Sequence, residues 1–198
     1  MDPFLAKLFQ YRTMLHTDLG GGMRRTVEWL LVSAIRQHSD PSTFHRELET
    51  PALAVLAADL LDNAVEITGA DFGNVDLYEP STDTLVMVAH HNFAPDFVDI
   101  FACLAPDGRT ACSRALASGQ QVIIEDVAND ALMAPHVEAV REAGFRSVYA
   151  TPLLRKSGEV AGVLSVHFAH PGAPSERVLA SLQVHVDAAS AEMELAGA

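Results

Sequence analysis

The sequence predicts an α+β fold in which antiparallel strand pairs are framed by helices. Three observations carry this. Apolar residues recur every three or four positions over 51–68 and then alternate over 72–79, so a helix gives way to a strand. Two pairs of strand-like segments are separated only by turn residues, Pro80-Ser81-Thr82-Asp83 and Ser157-Gly158, which read as hairpins. A further helical stripe follows Pro174-Ser175.

The elements follow in order. Residues 1–50 read as a helical extension that serves dimerisation. Gly20-Gly21-Gly22 stops or hinges it. From Met23 to His38, Val27, Leu30, Leu31, Ala34 and Ile35 form one apolar stripe that must be buried against the domain or a second copy. The domain proper spans 51–198. Its first helix, Pro51 to Thr68, gathers Leu53, Leu56, Ala57, Leu60, Ala64 and Ile67 on one face, and Gly69 ends it. Phe72 to Glu79 and Leu85 to His91 are the first two strands. Asp96 to Leu104 and Ala111 to Ser118 read as helices, the second stopped by Gly119. Gln121 to Glu125 is a short third strand, and 130–143 is a loop with a helix ending at Gly144. Ser147 to Leu154 and Glu159 to Phe168 are the fourth and fifth strands. Ser175 caps the terminal helix, with Glu176 at the positive end of its dipole. In that helix Leu179, Leu182, Val186, Ala189 and Met193 are spaced three, four, three, four. This stripe packs on the helix's own sheet, and heptad spacing also suits a partner helix.

The charge narrows the function classes. The chain has 198 residues, with 13 Lys+Arg against 26 Asp+Glu, a formal net charge of −13. Such a protein repels phosphate backbones and anionic lipid surfaces, so neither nucleic acid nor a membrane is an expected partner. No apolar run is long enough to span a bilayer, and Met1-Asp2-Pro3 opens no secretory signal. Two cysteines make no disulfide framework. The expected location is cytoplasmic.

The ordered set of motifs over about 51–195 resembles a GAF domain of the kind found in bacterial signalling proteins, often attached to histidine kinases. The residues that carry the resemblance are Gly69-Ala70-Asp71-Phe72-Gly73-Asn74-Val75-Asp76-Leu77, Leu85 to Phe93, Cys112-Ser113-Arg114-Ala115-Leu116, Val122 to Val127, Ser147 to Leu153, and Gly162 to Phe168 followed by Pro174-Ser175-Glu176. The resemblance implies a central antiparallel sheet with strands in the order second, first, fifth, fourth, third. The terminal helices would cover one face, and loops and helices on the other would roof a ligand pocket.

Alternation assigns faces without the family. Val75 and Leu77 want a dry face, so Asn74 and Asp76 point away from it. Leu164 and Val166 leave Ser165 and His167 on the polar side. Val148 and Ala150, taken as dry, leave Tyr149 and Thr151. In the second strand Met87 and Ala89 look dry, which selects His90 over His91. Asp126 reads as a loop or helix cap at the rim. The expected ligand-binding residues are therefore Asn74, Asp76, His90, Tyr149, Thr151, Ser165, His167 and Asp126.

Sharper chemistries lack support in the spacing. His90, Asp76 and His167 make an incomplete zinc set, no residue is marked as a haem ligand, and no metal or cofactor is assigned. Cys103 and Cys112 are not arranged as in the free-methionine sulfoxide reductases of the family, and read as a small helix hydrophobe and a packing residue. Neither cysteine is followed by histidine, as bilin attachment would want, and the cyclic-nucleotide signature is absent. Gly20-Gly21-Gly22 lacks the Lys-Ser/Thr of a phosphate loop. Glu125 and Asp126 point to opposite faces and cannot act on one bond.

The expected function is a stand-alone sensory module, not an enzyme. It would bind a small molecule and signal, as a homodimer through its terminal helices, to a partner such as a histidine kinase. A free-methionine sulfoxide reductase-like enzyme and a ligand-free dimerisation scaffold are the alternatives.

Overall fold

The structure, a computed structural model, describes residues 51–197. The extension expected over 1–50, with its stripe from Met23 to His38, lies outside the described residues.

Helix α1 (Pro51–Thr68) opens the domain and ends at Gly69, whose φ of 66° suits a residue without a Cβ. Strands β1 (Phe72–Glu79) and β2 (Thr84–His91) form the first hairpin. Next come helix α2 (Pro95–Phe101), the two-residue strand β3 (Cys103–Leu104), helix α3 (Ala111–Ser118) and strand β4 (Val122–Ile124). Two 3-10 turns, Val127–Asn129 and Ala134–His136, lead to helix α4 (Val137–Ala143). Strands β5 (Ser147–Leu154) and β6 (Val160–Phe168) form the second hairpin, and helix α5 (Glu176–Ala196) closes the chain. Ser175 caps α5 by accepting from the Val178 N–H at 3.4 Å, as the sequence predicts.

All strand pairs are antiparallel, in the order β3-β2-β1-β6-β5-β4. The five strands expected from the sequence stand in the expected order. The sixth, β3, is a correction: Cys103 and Leu104 leave the helix and pair with Val86 and Leu85 at the sheet edge.

The sheet separates two cores. On one face Leu53, Ala57, Leu60 and Ala64 of α1 and Leu182, Val186 and Met193 of α5 pack on Val75, Leu77, Leu164 and Val166. The terminal stripe is thus spent on its own sheet and on α1. On the other face Phe97 and Phe101 of α2, Ala111 and Ala115 of α3, Val140 of α4 and Phe145 cover Met87, Val148, Ala150 and Val163. No helix among the described residues is long and apolar enough to cross a membrane.

Two departures from simple alternation matter for the site. In β2 the register slips, so Val75 faces Ala89 while Asp76 faces Met87, and Val88 is the extra residue. The bulge sends Met87 to the covered face and Ala89 to the helix face, so the two do not share a side as alternation predicts. In β5 every residue but the last is buried, because both faces are covered. A strand covered twice carries no inside-outside pattern, and the face expected for it is inverted. Val148 and Ala150 belong to the core under α2–α4, while Tyr149 and Leu153 belong to the core under α1 and α5.

Candidate functional site

β1 and β6 lie side by side at the sheet centre, with Asn74 opposite Ser165 and Phe72 opposite His167. Their polar residues on the covered face are enclosed: Asn74, Asp76, Ser165 and His167 are all at most 5% exposed. Buried polar groups need partners, and here most find one another. The Asn74 amide Nδ2 donates to Asp76 Oδ2 at 2.9 Å. His167 Nε2 lies 2.9 Å from Asn74 Oδ1. Since that amide oxygen can only accept, Nε2 carries the proton and Nδ1 keeps a bare lone pair. Cys112, at the start of α3, sets its Sγ 3.2 Å from Ser165 Oγ. Thr110 holds that helix start, its hydroxyl accepting from the Ser113 N–H.

Two polar atoms of this cluster, Asp76 Oδ1 and His167 Nδ1, have no hydrogen-bond partner among the described residues. Burial sets the charge states. It pushes the Asp76 carboxyl up to about 7, against the opposing hydrogen bonds from Asn74 and Cys112. It pushes His167 down to about 3, so the imidazole is neutral. It pushes the Cys112 thiol far up, with the Asp76 charge adding to the effect.

Beside this cluster is a cavity of about 30 Å³. Asn74 and His167 reach it from the sheet side, and Cys112, Phe97, Phe101 and Met133 close it from the cover. An aromatic ladder forms the wall. Phe93 stacks on Phe97 at 4.2 Å and Phe97 on Phe101 at 4.4 Å between ring centroids. Phe145 and Phe93 meet the His167 ring edge-on at 4.5 and 5.1 Å. Phe97 and Phe101 are four residues apart, one turn of α2, so a signal for this part of the wall existed in the sequence, whereas Phe93 precedes the helix.

Of the eight residues expected to bind a ligand, Asn74, Asp76, Ser165 and His167 form the cluster. His90 pairs across the strands with Asn74 and so shares its face. Burial, then the neighbouring His91, lowers it to about 4. Tyr149 and Thr151 do not join: they lie on the helix face, and Thr151 Oγ1 accepts from Gln121 Nε2 at 3.2 Å. Asp126 is structural in its visible contacts. It caps the 3-10 turn at Ala128 N–H and grips the Arg146 guanidinium at 2.8–3.1 Å, which holds its carboxyl below the usual range. Cys112, Met133 and Phe145 were not expected at the site. Among the described residues, no group of three or more His, Cys, Asp and Glu side chains is placed to hold a metal ion.

The family model for the GAF domain matches residues 51–193. The chain belongs to the GAF domain family. Solved GAF structures share the fold at low identity. The GAF domain region of a protein from Geobacter sulfurreducens PCA is 18% identical, with TM-score 0.62 over 72% of this chain and 93% of that one. A domain described as that of a two-component sensor histidine kinase protein from Sinorhizobium meliloti 1021 is 13% identical, with TM-score 0.60 over 75% and 100%. A free methionine-R-sulfoxide reductase from Neisseria meningitidis, solved with its substrate, is 19% identical, with TM-score 0.55 over 83% and 93%. No curated protein matches the chain. GAF domains are a family of small-molecule-binding signalling modules, and this chain places its buried polar cluster on the covered face of the family's sheet.

Proposed function

We propose that this GAF protein is a sensory module rather than an enzyme. It binds a small molecule in the cavity beside Asn74 and His167, and the covering segments 94–111 and 129–144 move to admit it. The terminal helices carry that change to a second copy and on to a signalling partner such as a histidine kinase. The observation that supports this best is the pair of buried, unpartnered polar atoms, Asp76 Oδ1 and His167 Nδ1, in a cluster that touches a cavity. Orphaned polar atoms in a folded core are rare, and each calls for a partner from outside the chain, a water, an ion or a ligand.

A thiol reductase is disfavoured by the state of Cys112. A reactive cysteine is accessible and has a lowered pKa, whereas Cys112 is buried and its pKa is pushed up. The dimer component draws on α5, which leaves Val184 67% and Leu195 82% exposed while its other side is packed.

Native mass spectrometry of the full chain tests the reading in one measurement. A retained small molecule in a dimer supports it. A ligand-free protein whose melting temperature no small molecule raises would reduce it to a scaffold. Methionine sulfoxide turnover that Cys112→Ser abolishes would make it an enzyme. A dimer unaffected by Val184→Glu with Leu195→Glu would move the interface elsewhere.

A further inference from the structure

The cavity constrains the chemistry of its occupant, an inference that rests on the sensory reading above. Charge comes first. No lysine or arginine lines the cavity. Arg114, on the adjoining helix, does not line the cavity, and its Nη1 and Nη2 are committed to Asp130 and to the Arg109 carbonyl. A carboxylate or phosphate would enter with no counter-charge, and burying an unpaired anion is prohibitive.

Hydrogen bonding comes second. His167 lines the cavity, is 5% exposed, and has one ring nitrogen donating to Asn74. Its other nitrogen, Nδ1, is an acceptor with no donor among the described residues. The neutral state imposed by burial keeps that lone pair free at ordinary pH. The occupant must therefore donate.

Shape comes third. Phe97, Phe101 and Phe145 present ring faces and edges, with Phe145 and Phe97 perpendicular at 5.8 Å. Such walls favour an aromatic guest by offset or edge-on packing. The present 30 Å³ holds only a water or two, and a benzene-sized guest takes an enlarged cavity of about 150 Å³. Met87 and Met133 on opposite sides can supply part of this. Methionine side chains are unbranched and repack readily. Side-chain repacking alone brings a single ring within reach, whereas a nucleotide or tetrapyrrole would need the cover displaced altogether.

We propose that the cavity takes a small neutral aromatic molecule with one hydrogen-bond donor, of the phenol and indole class. Its ring lies among Phe97, Phe101 and Phe145, and its O–H or N–H donates to His167 Nδ1.

The test is calorimetric titration of the full chain at pH 8 with phenol, toluene, cyclohexanol and benzoate. Phenol is expected to bind at least tenfold more tightly than toluene, because toluene leaves the buried acceptor unpaired. Cyclohexanol should be weaker than phenol, and benzoate should not bind. His167→Met should erase the preference for phenol over toluene. Met133→Trp, which fills the cavity from the cover and leaves the polar cluster intact, should abolish binding of both and serves if the His167 variant does not fold. Equal binding of phenol and toluene, or tighter binding of benzoate or cyclohexanol, would overturn the proposal. So would a purified chain that retains a charged or non-aromatic ligand in native mass spectrometry, an outcome that leaves the sensory reading standing. A chain that binds none of the four and retains nothing would remove both.

Discussion

His167 Nε2 lies 2.9 Å from the amide oxygen of Asn74, and through that amide the imidazole on β6 is joined to the Asp76 carboxyl on β1. Asn74 is the hinge of the arrangement, since it donates to one neighbour and accepts from the other. Asn74→Leu keeps the volume and removes both bonds. It is expected to cost roughly 2–4 kcal/mol, the sum of two buried groups left unpaired. The loss should be larger at pH 8 than at pH 5, because the ionised carboxylate depends more on the Asn74 donor. Urea denaturation at the two pH values checks this, and a pH-independent loss would count against it.

Asp76 also gives a pH signature. Burial raises its folded pKa from 3.8 to about 7, so the folded state binds the proton more tightly than the unfolded chain. Its contribution to stability is fully present below about pH 4, drains as the pH rises, and is gone above about 7. His167 runs the other way. Burial lowers it from 6.5 to about 3, so its contribution is present above about 6.5 and is lost as the pH falls. Between pH 4 and 6.5 the two slopes oppose each other. Asp76→Asn removes the falling one. The variant should gain stability relative to wild type as the pH rises from 4 to 7, by about 4 kcal/mol at most, and the difference should then level off. A flat difference across that range would mean an ordinary carboxyl.

The sequence made β1 and β6 legible because each presents a polar row, Asn74 with Asp76 and Ser165 with His167, against an apolar row. β5 was not legible, since a strand covered on both faces has no polar side, and taking Val148 and Ala150 as the helix-face residues turned Tyr149 and Thr151 the wrong way. His90 landed beside Asn74 although the premise about Met87 was wrong. The bulge at Val88 reverses the faces of β2 on one side of it, and nothing in the local composition announces a bulge. Cys112 was invisible for another reason. Its place against Ser165 depends on how α3 lies across the sheet, a tertiary fact that no spacing encodes.

The roof of the cavity is tied down by one ion pair. Arg114 Nη1 meets Asp130 Oδ2 at 3.0 Å, with the two side chains 22% and 18% exposed. Asp130 Oδ1 accepts in addition from the Leu132 and Met133 N–H groups at 3.0 and 3.1 Å. Burial works against the Asp130 charge, but Arg114 and these amides outweigh it and hold the carboxyl low. Arg114→Met should cost roughly 1–2 kcal/mol. More specifically, it should loosen 131–136 while α1 and α5 keep their protection. Hydrogen exchange reads both effects, and faster peroxide oxidation of the otherwise buried Met133 reports the loosening independently. Uniform loss of protection across the chain would show that the pair stabilises the whole fold and not the roof.

The close approach of β1 and β6 rests on two glycines whose substitutions should differ in cost. Gly162 packs its backbone directly against the Asp76 carbonyl. A Cβ there collides with that oxygen and also crowds Leu77 Cδ2 at 3.1 Å and Leu153 Cδ1 at 3.3 Å. The carbonyl belongs to the neighbouring strand and cannot rotate away without breaking the β1–β6 ladder that sets Asn74 opposite Ser165. At Gly73 the nearest atom to an added Cβ is Leu61 Cδ1 at 2.7 Å, the mobile end of a side chain, and the Ser165 carbonyl is 3.2 Å away. Neither glycine has a positive φ, so the contrast is one of space alone. Gly162→Ala should cost about 3 kcal/mol or more, at the upper end for overpacking, and Gly73→Ala about 1 kcal/mol. Because the strain at 162 falls on the strand pair that carries the polar cluster, Gly162→Ala should also weaken any ligand bound there, while Gly73→Ala should not. Urea midpoints for the two variants, with a binding titration on each, separate the cases. Equal costs would mean that the strands can slide apart and that their spacing does not position the site.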